Sequence, residues 1–413
     1  MREMKDSGVE WIGEIPKDWE KKRLKAVLCE RNVNNNPIKT DFILSLTNDR
    51  GVIPYTEKGE SGNKSKDDLT GYKLAYPSDI VLNSMNVIIG SVGLSKYYGC
   101  VSPVYYMLYP RYENDCVRYY NYLFQTRELQ SKLKGYGNGI MEIRMRIPMS
   151  KLNTVELPIP PYNVQYCIAD YLDEKCSEID NIIAKQKMLI ERYKAYKLSF
   201  INETISNTTG TKCHLGYIGS MKNGLNFSST LEGAKIKFLG VGDFQDNFIL
   251  DKLDMFSDII TVDEISEEYM LKDGDIIFVR SNGSKELVGR AVMVKNINYP
   301  LTYSGFCIRF RNTRIDIIDS DYLLYFFRSF DFRKQLEKNS QGSNINNVNQ
   351  ELLSQIDFTF PNIELQRKVV CVLDAKCKKI DNIICNKAKL IDKLVDYKKS
   401  LIYEVVTGKR EVK

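Results

Sequence analysis

A long internal repeat constrains the architecture of this chain more than any other feature. Residues 165–205 align without gaps on residues 366–406 at an offset of 201, and 17 of the 41 positions are identical. The identities include the run Ile179-Asp180-Asn181-Ile182-Ile183, which returns as Ile380-Asp381-Asn382-Ile383-Ile384. A repeat of this length indicates that one structural unit occurs twice in the chain.

Both copies of the repeat have the apolar periodicity of a long helix. Alternating steps of four and three residues from Ile168, and from Val369, meet apolar side chains at nearly every position, as in a coiled coil. This pattern predicts two helices of about 40 residues, each roughly 60 Å long, and each needs a partner helix. If the two pack on each other antiparallel, the globular domains lie at opposite ends of the pair. The predicted seam of the helix pair consists of Leu172, Ile179, Ile182, Leu189, Tyr196, Leu373, Ile380, Ile383, Leu390 and Tyr397.

The segments that precede the two helices are similar in length and resemble each other loosely. Both alternate runs rich in Val, Ile, Tyr and Phe with Gly and Asn turns, which indicates a mixed α+β domain. Each segment ends in a short proline-bearing strand before its helix begins. The sequence therefore predicts a first domain at 1–157, a central helix at 158–205, a second domain at 206–357 and a distal helix at 358–413.

Composition narrows the functional classes. The net charge of +6 is only a weak indication of a polyanionic partner, because local patches rather than bulk charge bind nucleic acid. The chain has one histidine, His214, and no Cys-x-x-Cys pair, which argues against the usual zinc ligand sets and histidine-based catalysis. It has no stretch of about 18 uncharged apolar residues and no signal-peptide pattern at its start, so we expect a cytoplasmic protein without a membrane partner.

The junctions of the chain resemble those of a known family. The opening Gly13-Glu14-Ile15-Pro16-Lys17-Asp18-Trp19 is similar to the usual start of the specificity subunit of type I restriction-modification enzymes. The joints at Leu157 to Pro161 with Gln165, and at Phe360-Pro361 with Gln366, are similar to its strand-to-helix junctions. The resemblance covers essentially the full chain. It implies an α+β protein with two target recognition domains separated by two long helices, packed as an antiparallel coiled coil in a pseudo-twofold repeat.

The resemblance also implies a function and a set of partners. Each target recognition domain would recognise one half of a bipartite site in double-stranded DNA, and the helix pair would set the spacer between the half-sites. Two methyltransferase subunits and two restriction subunits, which are translocase-nucleases, would bind to this chain. The chain itself would be non-catalytic and would hold no metal or cofactor, because S-adenosylmethionine, ATP and Mg²⁺ would belong to the partner subunits.

Polar and basic residues at two places in each domain are the candidate DNA contacts. Arg and Lys can bond guanine edges and Asn can bond adenine edges, and both types follow a matched strand in each domain and precede its closing strand. Plain surface loops are the alternative interpretation. The candidates are Asn83, Ser84, Asn86, Lys96, Lys134, Asn138, Arg144 and Arg146 in the first domain, and Arg280, Ser281, Asn282, Ser284, Lys285, Arg290, Gln341, Ser343 and Asn344 in the second.

Two fragments leave an enzyme as the alternative function. Phe238-Leu239-Gly240-Val241-Gly242 fits the F-x-G-x-G motif of adenine methyltransferases, and Ile159-Pro160-Pro161-Tyr162 approaches their Asn/Asp-Pro-Pro-Tyr motif. Ile159 stands where an Asn or Asp must accept the amine proton. A DNA adenine methyltransferase with its own recognition domain would transfer methyl groups without partners. A DNA-independent coiled-coil adaptor, the third interpretation, would show no salt-sensitive binding to duplex DNA.

Overall fold

The computed structural model describes residues 2–48, 50–59, 65, 67–137, 146–226, 233–244, 247–261, 264–284, 286–339 and 347–412. Contacts between residues divide the chain into two compact units. The first unit comprises Met1–Lys187 with Ala388–Lys413, and the second comprises Met188–Lys387. The predicted domain boundaries keep each long helix whole, whereas the units divide both helices between them.

The first unit contains a mixed domain and parts of two long helices. Its strands are β1 (Met4–Asp6), β2 (Glu14–Pro16), β3 (Glu20–Arg23), β4 (Leu28–Arg31), β5 (Leu44–Thr47), β6 (Gly51–Pro54), β7 (Lys73–Ala75), β8 (Ile80–Asn83), β9 (Val92–Leu94), β10 (Gly99–Val101), β11 (Tyr105–Pro110) and β12 (Glu156–Ile159). Its helices are α1 (Leu24–Val27), α2 (Val117–Phe124), α3 (Arg127–Lys134), α4 (Met149–Leu152) and the first part of α5 (Tyr162–Ser206). The main sheet is antiparallel in the order β4-β11-β8-β9.

Both faces of this sheet are covered, and the strand sequences show why. Successive strand residues point to opposite faces, so Ile80 and Leu82 pack into the core with α2 and α3. Val81 points to the other face, where it packs with Leu44 and Leu46 of β5. Strand β8 is therefore apolar at consecutive positions, and its polar residues begin only where the strand ends.

The second unit repeats this arrangement. Its strands are β13 (Thr211–His214), β14 (Gly219–Asn223), β15 (Ala234–Leu239), β16 (Ile249–Leu250), β17 (Ser257–Thr261), β18 (Ile276–Val279), β19 (Ala291–Val294), β20 (Leu301–Tyr303), β21 (Cys307–Asn312) and β22 (Asp357–Phe360). Its helices are the last part of α5, α6 (Leu215–Ile218), α7 (Ser320–Phe327), α8 (Phe330–Asn339), α9 (Gln350–Ser354) and the first part of α10 (Ile363–Val406), whose last part belongs to the first unit. The main sheet has the order β14-β21-β18-β19-β16 and a smaller sheet has the order β17-β15-β20. Strand β18 corresponds to β8, because Ile276 and Phe278 face α7 and α8 while Ile277 faces the smaller sheet.

The long helices α5 and α10 run antiparallel in each unit. In the second unit the Lys387 ammonium lies 6.0 Å from the ring centre of Tyr193, and Lys197 forms an ion pair of 2.7 Å with Asp381. A later residue of α5 therefore contacts an earlier residue of α10, as expected for antiparallel helices. In the first unit Asp180 forms a 2.6 Å ion pair with Lys398. The two ion pairs occupy equivalent positions of the repeat with the helices exchanged. The predicted pseudo-twofold pairing of antiparallel helices is therefore confirmed.

Part of the predicted seam is wrong. The inner positions of α5 run from Leu172 through Cys176 and Ile179 to Ile183, so Ile183 replaces Ile182. These positions keep the heptad spacing of four and three residues, but every second seam position lies one residue later than predicted. Leu172, Ile179, Leu373 and Ile380 are buried and Leu189 is half-buried. The predicted seam residues that are 37% to 49% exposed are Ile182, Tyr196, Ile383, Leu390 and Tyr397; of these, Tyr196 still lies beside the partner helix, with its ring centre 5.2 Å from the Lys376 ammonium.

A buried glutamine fastens each long helix to the domain that precedes it. The Gln366 side chain accepts a hydrogen bond from the Asp319 backbone N–H at 2.8 Å and donates to the carbonyls of Ile317 and Pro361, both at 2.8 Å. Gln165 accepts from the Cys116 N–H at 3.0 Å in the same way. Cys116 and Asp319 are the residues immediately before α2 and α7. The glutamines therefore fix the start of each domain helix against a long helix.

A tyrosine adds a second link about two turns further along each long helix. The Tyr122 hydroxyl donates to Asp173 at 2.7 Å, and the Tyr325 hydroxyl donates to Asp374 at 2.6 Å. Burial raises the pKa of both tyrosines far above their ordinary value, so the hydroxyls stay protonated donors. Each domain is thus held on its helix by two polar contacts as well as by the apolar core.

Candidate nucleic-acid interface

In the first unit, a polar loop follows the buried strand β8. The Asn83 side chain accepts a hydrogen bond from the Met85 N–H at 3.0 Å, and the backbone carbonyl of Asn86 accepts from Ser91 at 3.1 Å. A single helical turn closes the loop at Gly90, whose φ of +90° is a left-handed conformation that favours glycine. Asn83 and Asn86 are half-buried. The loop is therefore an ordered hairpin connection that presents two amide side chains.

Two residues that were predicted to contact DNA from this loop do not present their side chains there. Ser84 is fully buried and its hydroxyl donates to the Val104 carbonyl at 2.8 Å, so the prediction that its side chain contacts DNA is wrong. Lys96 is exposed but follows β9 at the other end of the hairpin, because Ile80 pairs with Leu94 and Leu82 with Val92. Successive residues of a strand face opposite sides, which places Ser84, the first residue after β8, on the buried side. Because β8 and β9 pair as a hairpin, Lys96 lies at the end of the hairpin opposite to Asn83.

The segment before the closing strand returns to the same loop. The Ile147 N–H donates to the Ser84 carbonyl at 2.9 Å, and the Ile147 carbonyl accepts from the Tyr106 hydroxyl at 3.1 Å. Arg146, the preceding residue, is exposed beside the loop. Lys134 is exposed at the last position of α3. The predicted contacts Asn138 and Arg144 lie outside the described residues.

The second unit brings the equivalent two segments together. The Val348 N–H donates to the Arg280 carbonyl at 2.9 Å, and Ser281 forms a β-bridge with Asn347. Arg280 follows β18 as Ser84 follows β8, and Val348 corresponds to Ile147. Arg280 is half-buried, and its guanidinium donates to the Gly305 carbonyl at 3.3 Å. In each domain, one backbone hydrogen bond thus joins the residue after the loop-bearing strand to the described end of the segment that precedes the closing strand.

The other predicted residues of the second unit that the structure describes lie in the same hairpin connection as Arg280. Arg290 is half-buried at the same end of the β18–β19 hairpin, because its carbonyl accepts a hydrogen bond from Val279 at 2.9 Å. Asn282 is half-buried and its side chain accepts from the backbone of the exposed Ser284 at 2.8 Å. The predicted contacts Lys285, Gln341, Ser343 and Asn344 lie outside the described residues.

A cleft of about 830 Å³ opens beside the loop of the first unit. Its wall includes the polar side chains of Asn48, Lys58, Asn83 and Asn86 and the ring of Tyr105. Amide groups both donate and accept hydrogen bonds. The cleft therefore offers the kind of surface that can bond the edges of bases, with a lysine for phosphate.

A buried acid anchors the start of each loop-bearing strand. Asp79, 1% exposed, forms a 2.9 Å ion pair with Arg31, and burial nevertheless raises the pKa of its carboxyl group. In the second unit Asp275 accepts from Arg311 at 2.6 Å, and this hydrogen bond raises the pKa of Arg311. The two arginines belong to different strands, Arg31 to β4 and Arg311 to β21, but each bonds the acid at the turn before the loop-bearing strand of its own unit. The strands that end at the polar loops are therefore fixed at their opposite ends.

Sequence reasoning missed one exposed aromatic residue beside Arg280. Phe306 is 57% exposed, and its carbonyl accepts a hydrogen bond from the Arg280 N–H at 2.7 Å. The sequence places Phe306 between the buried strands β20 and β21, where an aromatic residue is indistinguishable from a core residue. The only sequence signal is the preceding Gly305, which marks a turn.

The two fragments that suggested methyl transfer are structural joints. Gly240 begins a helical turn in which its N–H donates to Asp243 at 2.7 Å. The run from Ile159 to Tyr162 connects β12 to α5. Among the described residues, no group of three or more His, Cys, Asp and Glu side chains could hold a metal ion. Within the same residues, none of the helices has both the length and the apolar character needed to cross a membrane.

Known proteins share this architecture. A chain from a solved structure on complex assembly and conformational transition of the type I R-M system has a TM-score of 0.74 at 12% identity, covering 96% of this chain and 99% of that chain. The HsdS subunit from Thermoanaerobacter tengcongensis has a TM-score of 0.52 at 13% identity, covering 96% and 98%. At these identities the similarity shows the fold alone.

Sequence similarity extends to characterised relatives and to a family. The chain is 26% identical over 241 residues to the specificity subunit of the type I restriction enzyme StySPI from Salmonella potsdam, which is 54% of this chain and about half (51%) of that relative. It is 24% identical over 431 residues to the MjaVIII specificity subunit from Methanocaldococcus jannaschii, covering 97% and 94%. The sequence profile of the type I restriction modification DNA specificity domain matches twice, at residues 16–192 and 212–392. The chain therefore belongs to the family of DNA specificity subunits of type I restriction-modification systems, which recognise DNA and are not themselves the catalytic subunits.

Proposed function

We propose that this chain recognises a bipartite site in double-stranded DNA, with one half-site bound by the loops of each domain. The observation that carries the proposal is the repeated backbone joint, in which Ile147 bonds to Ser84 and Val348 bonds to Arg280. In each domain this joint holds the segment that precedes the closing strand against the loop that follows a buried strand. Two equivalent surfaces on one chain fit the two halves of a divided site better than one continuous site.

The two surfaces differ in chemistry, so the two half-sites would differ in sequence. In the first unit Asn83 and Asn86 supply amides, which bond adenine edges, and Arg146 and Lys134 supply charge for phosphate. In the second unit Arg280 and Arg290 supply guanidinium groups, which bond guanine edges. We infer that the second half-site contains the guanine on which recognition depends most.

The helices would carry the partner subunits. Each unit exposes an isoleucine and a tyrosine at equivalent positions of the repeat: Ile182 and Tyr397 in the first, and Ile383 and Tyr196 in the second. Isolated exposed apolar residues are normal, but an apolar set repeated at equivalent positions marks an interaction surface. One methyltransferase subunit would bind each set. Two restriction subunits would complete the complex in the cytoplasm, and S-adenosylmethionine, ATP and Mg²⁺ would be bound by the partners.

Binding measurements on single variants test the DNA contacts. Genome-wide mapping of N6-methyladenine in cells that carry the chain and its methyltransferase defines the site. On that site, Arg280→Ala should weaken binding by about 1–3 kcal/mol and relax one position of the second half-site. Arg314→Ala is the matched control, because Arg314 lies beyond Asn312 at the opposite end of β21. Unchanged affinity and sequence preference in Arg280→Ala would contradict the proposed interface.

Native mass spectrometry tests the partner surface. The wild-type chain should bind two methyltransferase subunits, and Ile182→Glu or Ile383→Glu should each bind one, because a buried unpaired charge is costly in an apolar interface. The double variant should bind none. Lys185→Glu, a charge reversal at an exposed position of α5, is the control and should bind two. Full occupancy in the double variant would show that the partners bind elsewhere.

A further inference from the structure

Phe306 combines high exposure with a fixed position. A phenylalanine side chain that is 57% exposed leaves much of its apolar surface in water, which is unfavourable by about 25 cal/mol for each Å². The residue is nevertheless held on ordered backbone: its N–H donates to the Ser304 hydroxyl at 3.2 Å and its carbonyl accepts from Arg280 at 2.7 Å. The next residue, Cys307, is fully buried at the start of β21. The ring is thus presented to solvent by a rigid turn.

The turn before Phe306 is packed against the segment that contains Leu225 and Asn226. Gly305 lies so near Asn226 that a Cβ at Gly305 would stand 2.2 Å from the Asn226 side-chain oxygen. The Gly305 N–H also donates to the Leu225 carbonyl at 2.8 Å. A side chain at position 305 would therefore displace the exposed Asn226 side chain, and the backbone hydrogen bond to Leu225 helps to fix where the Phe306 ring projects.

Phe306 adjoins the strongest candidate for a base contact. The Arg280 guanidinium donates to the Gly305 carbonyl at 3.3 Å, while the Arg280 backbone N–H donates to the Phe306 carbonyl. An arginine and an apolar ring therefore project from neighbouring residues of one surface. In the major groove, these are the two kinds of group that recognise guanine and the methyl group of thymine.

The first unit lacks this pair. Tyr105 begins β11 as Cys307 begins β21, and both donate to a serine carbonyl three residues earlier, Ser102 and Ser304. Val104 therefore corresponds to Phe306. The hydroxyl of the buried Ser84, which corresponds to Arg280, is bonded to the Val104 carbonyl. The arginine and the exposed ring occur together only in the second of the two described turns, which argues that they act together.

We propose that Phe306 contacts the 5-methyl group of a thymine in the major groove of the second half-site, next to the base pair that Arg280 contacts. The proposal rests on the proposed function, because it places the Arg280 surface on DNA. An apolar ring gains most from DNA where a methyl group gives it an apolar partner, and thymine supplies the only such group among the four standard bases. Phe306 would therefore determine a thymine at a fixed distance from the guanine.

Thymine-to-uracil replacement tests this contact at the level of single atoms. Duplexes carry the mapped site, with each thymine of the second half-site replaced in turn by deoxyuridine, and the chain is assayed in complex with its methyltransferase subunits. At one position, loss of the methyl group should weaken wild-type binding about fourfold. Phe306→Ala should weaken binding to the thymine duplex about tenfold and should bind the thymine and uracil duplexes equally at that position.

Two further variants make the outcome decisive. Phe306→Leu keeps an apolar group and should retain part of the preference for thymine, which excludes misfolding as the cause. Phe330→Ala removes another exposed phenylalanine of the second unit, 65% exposed at the start of α8, and should keep wild-type affinity and preference. The proposal would be overturned if Phe306→Ala lost the same affinity for both duplexes and if wild-type binding did not change at any uracil. Phe306 would then act as a wedge between bases or contact the DNA backbone. Failure of the wild-type complex to bind the mapped site would instead overturn the proposed function.

Discussion

Replacing Gln366 by methionine should release the start of α7 from the long helix α10. Gln366 is 0% exposed, and its side chain forms hydrogen bonds with the N–H of Asp319 and the carbonyls of Ile317 and Pro361, all at 2.8 Å. Methionine has a similar length and flexibility but leaves these three buried groups without that partner. An unsatisfied buried group costs about 1–3 kcal/mol, so the lower limit for three groups is about 3 kcal/mol.

Hydrogen exchange followed by mass spectrometry measures this cost locally, which suits a chain of two units that need not unfold together. Peptides that contain Asp319 and the first turn of α7 should exchange roughly 100-fold faster in Gln366→Met than in the wild type. Peptides from β8 in the first unit should not change.

Gln335→Met is the matched control for this substitution. Gln335 is a half-buried residue of α8 that forms hydrogen bonds in both directions with the Asp357 backbone, at 3.0 Å and 2.9 Å. Water can replace these bonds, so the control should change exchange by less than tenfold, equivalent to about 1.4 kcal/mol. If the two variants accelerated exchange equally, or if the α7 peptides were unaffected, burial of the Gln366 contacts would not be what holds the domain on its helix.

Two further predictions concern a buried acid and a glycine. Burial raises the pKa of the Asp115 carboxyl group despite hydrogen bonds from Tyr120 and Gln165, so ionisation of this group lowers wild-type stability as pH rises above the ordinary carboxyl pKa. The Tm of Asp115→Asn should therefore exceed the wild-type Tm by more at about pH 7 than at about pH 4. A Tm difference that does not change with pH would contradict this. Gly289 has a φ of +81° and a Cβ there would lie 2.7 Å from Leu336, so Gly289→Ala should lower the free energy of unfolding by denaturant by about 1–3 kcal/mol. Gly283→Ala is the control, because a Cβ there meets no described atom within 4 Å, and its free energy of unfolding should stay within about 0.5 kcal/mol of the wild type. Equal effects of the two substitutions would show that the hairpin relaxes around the added methyl group.

The repeat made much of the fold predictable, because a gapless match at an offset of 201 requires the same helix and the same joint twice. The seam was less predictable. Ile182 and Ile183 are adjacent apolar residues, three and four positions after Ile179, and both spacings occur in a heptad, so the periodicity alone does not decide which of them is buried.

The candidate site shows a similar division. The positions of the polar loops follow from the ends of apolar strands, which sequence patterns locate well. The direction of a single side chain does not: Ser84 is polar but fully buried, whereas Phe306 is aromatic but mostly exposed. The burial of Ser84 and the exposure of Phe306 depend on partners far away in sequence or on the exact residue at which a strand ends. Local composition determines neither of these.

The two ends of the chain meet within the first unit, and this has a consequence for biosynthesis. The Tyr119 hydroxyl bonds to the Val406 carbonyl at 2.9 Å, and Leu401, Ile402 and Val405 complete the core of that unit. The second unit, by contrast, is one continuous segment of the chain. On the ribosome the half that is made first is therefore the half whose core closes last, so a nascent chain that stops early lacks part of the core that its own beginning needs.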